Sequence, residues 1–157
     1  MDLSFHTYKI LGQKLLSWFD SQILVDWALD LLENGYETES LLILAGLDNT
    51  ETEEREKYFW KCIKELNIDI DKKEIELIDF YVKSLTQEVL SGNVTPKFAL
   101  KKMCEVVAKT DYSEKYIQFY MLDEEVEFLN DRKNIFQKKF TPGDINLKIL
   151  EEFKSLK

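Results

Sequence analysis

One histidine and two cysteines, His6, Cys62 and Cys104, are the side chains of this sequence best suited to nucleophilic catalysis or soft-metal binding. A Cys–His pair works only when the imidazole sits within hydrogen-bond reach and the thiol can be deprotonated. His6 falls near the start of the sequence, where fraying is expected, and both cysteines occupy apolar helical positions. The plainer reading is two reduced core cysteines and no dyad. A single histidine cannot build a His-rich metal site, and no Glu-x-x-His pair is present to bridge two metals. The five glycines are isolated and read as helix-end residues, with no phosphate-cradling run, and no serine stands in a Gly-x-Ser-x-Gly context. These observations assign no catalytic residue, no metal ligand and no cofactor.

Carboxylates are the remaining candidates. Asp123, Glu124, Glu125 and Glu127 lie close together, as do Glu51, Glu53, Glu54 and Glu56. Neither set has the alternating ligands, central glycine and closing glutamate of a calcium loop. An acid–base pair needs at least one carboxyl in apolar surroundings, and adjacent charges on one turn are the opposite environment. A solvated face accounts for both sets. A third set differs in spacing: Asp26, Asp30, Glu33 and Glu37 follow steps of four, three and four. Like charges one turn apart destabilise a helix by a few tenths of a kcal/mol per pair, and lysines more often break up such a row. A solvated face is the plain reading of this stripe, and an electrostatic docking face is the sharper one. Tyr36, beside it, would serve as an apolar anchor.

The elements that must position these residues are helical. Ile23, Leu24, Trp27, Ala28, Leu31 and Leu32 recur at a 3.6-residue period. Gly35 then reads as the C′ glycine, and Thr38 as the N-cap of the next helix, which ends near Gly46. A first helix is expected over 7–18 with Tyr8, Leu11, Leu15, Trp18 and Phe19 inward, and Asp20 or Ser21 caps the second. Thr50 with Glu53 forms a capping box for a fourth helix that buries Phe59, Cys62, Ile63 and Leu66. Asp71 with Glu74 starts a fifth, with Ile75, Ile78, Val82, Leu85 and Val89 inward, ending at Gly92. Thr95-Pro96 starts a sixth, with Ala99, Leu100, Met103, Cys104 and Val107 inward. One or two short helices are expected over 114–128 and a charged loop over 130–139. Thr141-Pro142-Gly143-Asp144 opens the last helix, with Ile145, Ile149, Phe153 and Leu156 on one side. The junctions Gly35…Thr38 and Gly92…Thr95 share one punctuation, which marks two similar hairpins.

The expected fold is therefore all-α, a compact bundle of six to eight helices built from antiparallel hairpins, in one domain over 1–157. Its core should include Leu15, Trp27, Leu31, Leu41, Leu44, Phe59, Ile63, Ile78, Leu85, Leu100 and Val107. The 157 residues are 45% hydrophobic, 13% aromatic and carry a formal charge of −9, which excludes disorder as the default. Residues 1–60 hold twelve acidic and four basic side chains, and residues 61–157 hold eighteen and seventeen. That distribution argues against a nucleic-acid partner and toward a basic protein. No secretion signal or membrane-spanning apolar run is read, so a cytoplasmic location is expected.

Ala28, Leu29, Leu32, Gly35, Ser40, Leu41 and Leu44-Ala45-Gly46-Leu47 precede an acidic helix with Tyr58-Phe59 and Glu65-Leu66. Gly92, Pro96, Ala99 and Leu122-Asp123-Glu124 follow. This pattern resembles a broad group of small acidic all-α bacterial proteins, mostly uncharacterised. Some of them are similar to immunity proteins encoded beside polymorphic toxins. The resemblance rests on helix punctuation and packing, and it brings no catalytic residues. The acidic balance of residues 1–60 and the stripe Asp26, Asp30, Glu33 and Glu37 with Tyr36 read as the face of a non-enzymatic protein-binding module, and taken with the resemblance the expected function is an immunity protein that neutralises a basic toxin through that face. The alternative is an enzyme or small-ligand receptor with a pocket lined by Trp18, Trp27, Tyr58, Trp60 and Tyr81. A subunit of a homo-oligomer also stays open.

Overall fold

Apolar positions at steps of three and four resolve into eight helices in the computed structural model, with no strand among the described residues. The structure describes residues 1–16, 19–48, 51–132 and 142–156, with backbone alone at 130–132 and 142. Trp18, Thr50, Thr141 and 133–139 of the expected charged loop lie outside the described residues. The chain forms two compact units, Met1–Tyr81 and Val82–Lys157, and their division falls inside the fifth helix.

The first unit contains α1 (Leu3–Lys14), α2 (Gln22–Glu33), α3 (Glu39–Ala45), α4 (Thr52–Glu65) and the first half of α5 (Glu74–Leu90). α1 begins four residues earlier than the sequence pattern suggests, because the Asp2 side chain accepts a hydrogen bond from the Phe5 amide at 3.1 Å. It ends at Lys14, so Leu15 is only half-buried, and the inward positions are Thr7, Tyr8, Ile10 and Leu11. α2 packs against α1, α3 and α4, and α3 packs against α4. Leu24, Trp27, Ala28, Leu31, Leu41, Leu44, Phe59 and Cys62 are the centre of this core. Trp27 and Phe59 meet edge to face at 4.9 Å, and Trp27 Nε1 donates to Thr7 Oγ1 at 3.3 Å.

Gly12 is not a helix-end glycine. It lies in the last turn of α1 against the backbone of α5, where a Cβ would stand 2.0 Å from the Leu77 carbonyl oxygen. The cap of α5 also differs from expectation: Glu76, and not Glu74, reaches back to the Lys73 amide at 2.8 Å. Ile75 is exposed, while Ile78, Tyr81, Val82, Leu85 and Val89 are buried.

The second unit holds the rest of α5 with α6 (Pro96–Lys109), α7 (Ile117–Arg132) and α8 (Pro142–Ser155), and α6, α7 and α8 pack pairwise. Residues 117–132 form one helix where short helices and the start of a loop were expected. Its polar stretch is an outer face, while Phe119, Leu122 and Val126 point inward and Phe119 stacks on Phe153 at 4.8 Å.

Both glycine junctions form as read. Gly35 and Gly92 have φ of +88° and +82°, and the next residue in each case donates its amide to the carbonyl five residues back. Thr38 and Thr95 cap α3 and α6 through the amides of Leu41 and Phe98, each at 3.2 Å. Two further helices end the same way without glycine: Asn67 (φ +52°) closes α4 and Asp111 (φ +52°) closes α6.

Candidate functional site

α2 presents the acidic stripe. Its N-cap residue, Ser21, makes no side-chain cap bond and is buried against Arg55, while Asp20 Oδ1, one residue earlier, accepts the Gln22 amide at 2.9 Å. With Leu24, Val25, Trp27, Ala28 and Leu31 turned inward, a 100° step per residue leaves Asp26, Leu29, Asp30 and Glu33 outward. Asp26, Asp30 and Glu33 are all exposed, and two turns of helix carry them over about 10 Å. Glu37 is exposed in the turn that follows.

Two neighbours hold the stripe in place. Gln22 Nε2 donates to Asp26 Oδ1 at 3.0 Å. His6 Nε2, on α1, lies 3.2 Å from Asp30 Oδ2. Burial and then Lys9 push the His6 pKa below its usual value, against the pull of Asp30, so near neutral pH the imidazole is uncharged and the stripe keeps its negative charge. Tyr36 is less available than expected. It is half-buried, packs against the core of the first unit, and its amide closes α2 on the Leu31 carbonyl at 3.0 Å. The apolar side chain set among the carboxylates is Leu29, 44% exposed. The sequence signal for it was available, because Leu29 falls one step outside the 3.6-residue apolar row.

The division of the chain sharpens the charge asymmetry. Residues 1–81 hold eighteen acidic and eight basic side chains, a net −10, while residues 82–157 hold twelve and thirteen, a net +1. The field that surrounds α2 is therefore strongly negative.

The other candidates lose their chemistry. Burial and then Glu65 push the Cys62 thiol up to about 12, and burial followed by Asp123 does the same to Cys104, also about 12. Thiols held protonated in this way are poor nucleophiles. Among the described residues of the aromatic set no shared pocket forms: Phe59 packs between Trp27 and Trp60, with ring centroids at 4.9 Å and 5.3 Å. Trp60 is on the surface, Tyr58 is half-buried beneath Lys61, Tyr81 is a core residue, and Trp18 lies outside the described residues.

The two remaining acidic sets are engaged locally. Glu56 pairs with Lys14, Glu54 with Lys57 and Glu125 with Lys148. Glu124 accepts from the Tyr120 hydroxyl, and Asp123 and Glu127 face Cys104. Among the described residues no group of three or more His, Cys, Asp or Glu is arranged to hold a metal ion. None of their helices is long and apolar enough to cross a membrane. Comparison with protein-family models, curated proteins and solved structures gives no match.

Proposed function

We propose that this chain is a non-enzymatic binding module that captures a basic protein on the outer face of α2, most specifically as an immunity protein that occupies a basic toxin. The observation that carries the reading is the exposed row Asp26, Asp30 and Glu33 around Leu29, on a unit with net charge −10. A row of carboxylates presented on a rigid helix steers a cationic surface into contact and raises the association rate. Leu29 supplies apolar contact at the centre of the row, where charges alone give little net affinity. A toxin that cleaves nucleic acid needs a basic cleft for phosphate, and this row would present carboxylates to it.

The test uses the product of the gene adjacent to this one as the probe. Asp26→Lys, Asp30→Lys and Glu33→Lys are combined, folding is checked by circular dichroism, and association kinetics are measured at low and high salt. The expected result is an association rate at least about tenfold slower at low salt, with most of the salt dependence gone. An unchanged rate and salt slope would show that the stripe is only solvated.

A further inference from the structure

α4 carries a second stripe that matches the first in spacing and opposes it in charge. Lys57, Trp60, Lys61 and Lys64 stand at the same steps as Asp26, Leu29, Asp30 and Glu33: three charges at i, i+4 and i+7, and one large apolar residue at i+3. All of them lie on the exposed faces of their helices, with Trp60 at 40% and Leu29 at 44% exposure. The lysines hold only loose local contacts. Lys57 Nζ is 3.7 Å from Glu54 and 5.5 Å from the Tyr58 ring centroid, and Lys61 Nζ lies 4.7 Å from the same centroid. Three of the eight basic residues of the −10 unit are thus gathered around its exposed tryptophan.

From this match we infer that the α2 stripe of one molecule docks on the α4 stripe of a second copy of the chain. Each row spans about 10 Å along its helix, so three carboxylates can stand opposite three ammonium groups in one register. Leu29 then covers the Trp60 indole at the centre of the contact. Exposed ion pairs contribute little singly, so the association is weak, salt-sensitive and dependent on the Leu29–Trp60 contact for its hold. The inference goes beyond the binding of a basic partner but uses the same α2 face, so a second copy and such a partner exclude one another there.

Sedimentation of the intact chain over the micromolar range tests this without any other protein, so its failure leaves the partner reading standing. Average mass should rise with concentration at about 0.02 M salt and return toward the monomer at about 0.5 M, where the Debye length drops to roughly 4 Å. A chain that stays monomeric throughout at low salt overturns the proposal. Two charge reversals then locate the contact. Asp26→Lys with Glu33→Lys spares the Asp30–His6 contact, and Lys57→Glu, Lys61→Glu and Lys64→Glu invert the partner row. Each variant alone should associate at least about tenfold more weakly, while an equimolar mixture regains association, because each copy then meets an opposite row. A mixture no stronger than its components, with the wild type still associating, overturns the assignment. If the reversals unfold, Trp60→Ser changes one exposed side chain and should by itself lower association at low salt. Retention of wild-type association in that variant overturns it as well.

Discussion

Gly12→Ala is the most searching test of how α1 is seated. Helix propensity by itself favours alanine over an interior glycine by about 1 kcal/mol. Here the added methyl would start 2.0 Å from the Leu77 carbonyl oxygen, 2.6 Å from its carbonyl carbon and 3.1 Å from Tyr81 Cβ. Carbon contacts settle near 3.5 Å or more, so the two backbones must part by roughly 1–1.5 Å, enough to forfeit about half or more of the dispersion energy across the contact. Overpacking commonly costs about 1–3 kcal/mol, and the upper end applies when the obstructing atoms are backbone. After the propensity gain, a net loss of about 2 kcal/mol remains. It should appear as a lower urea midpoint at constant slope and a Tm depressed by about 4–8 °C. A variant as stable as the wild type, or more stable, would refute the close approach of α1 and α5.

Three further outcomes follow from the same structure. Gly35→Ala meets no atom within 4 Å but forces alanine to φ of +88°, so it should cost about 1–2 kcal/mol by urea unfolding. Gly35→Asn should cost less, because asparagine enters that region more readily. His6 has a depressed pKa in the fold, so the unfolded chain takes up its proton first as pH falls below 6.5, the ordinary value, and the wild type loses stability relative to His6→Gln in that range. A relative gain on acidification would mean that Asp30 outweighs burial and Lys9. Cys62 and Cys104, both held near 12, should resist iodoacetamide at pH 8 in the folded protein and react readily in urea. Rapid labelling of either in the folded chain would contradict the burial described for it.

Much of the fold was legible because it rests on local chemistry. A glycine followed three residues later by threonine encodes both the left-handed close of one helix and the cap of the next, and both junctions appear at 35–38 and 92–95. Where the same closure uses Asn67 or Asp111, the signal fades, since these residues enter the left-handed region less often than glycine and are as common in other conformations. Gly12 was illegible for the opposite reason. Nothing near it in sequence distinguishes a packing glycine from a helix-end one, and the cause is a carbonyl sixty-five residues away. α7 was expected as one or two short helices because its apolar residues are spread around the helix instead of along one face, yet Phe119, Leu122 and Val126 make an inward row that packing with α6 and α8 covers.

The stripe on α2 was legible as charge but not as a surface. Periodicity places Asp26, Asp30 and Glu33 together whatever the helix packs against. Whether the apolar residues beside them are anchors depends on three neighbouring helices. Those neighbours bind Tyr36 into the core and leave Leu29 out. The same dependence hid the α4 row. The segment Lys57-Tyr-Phe-Trp60-Lys61 reads as a core helix with scattered lysines until Phe59 is seen to take the interior position against Trp27. Trp60 is then turned outward onto the lysine face. Two rows of opposite charge and equal step acquire meaning only when both are exposed, and that exposure is set by how α1, α3 and α4 enclose α2. Charge alone would have made α2 a ligand for any cation; the matching row on α4 makes another copy of this chain a specific one.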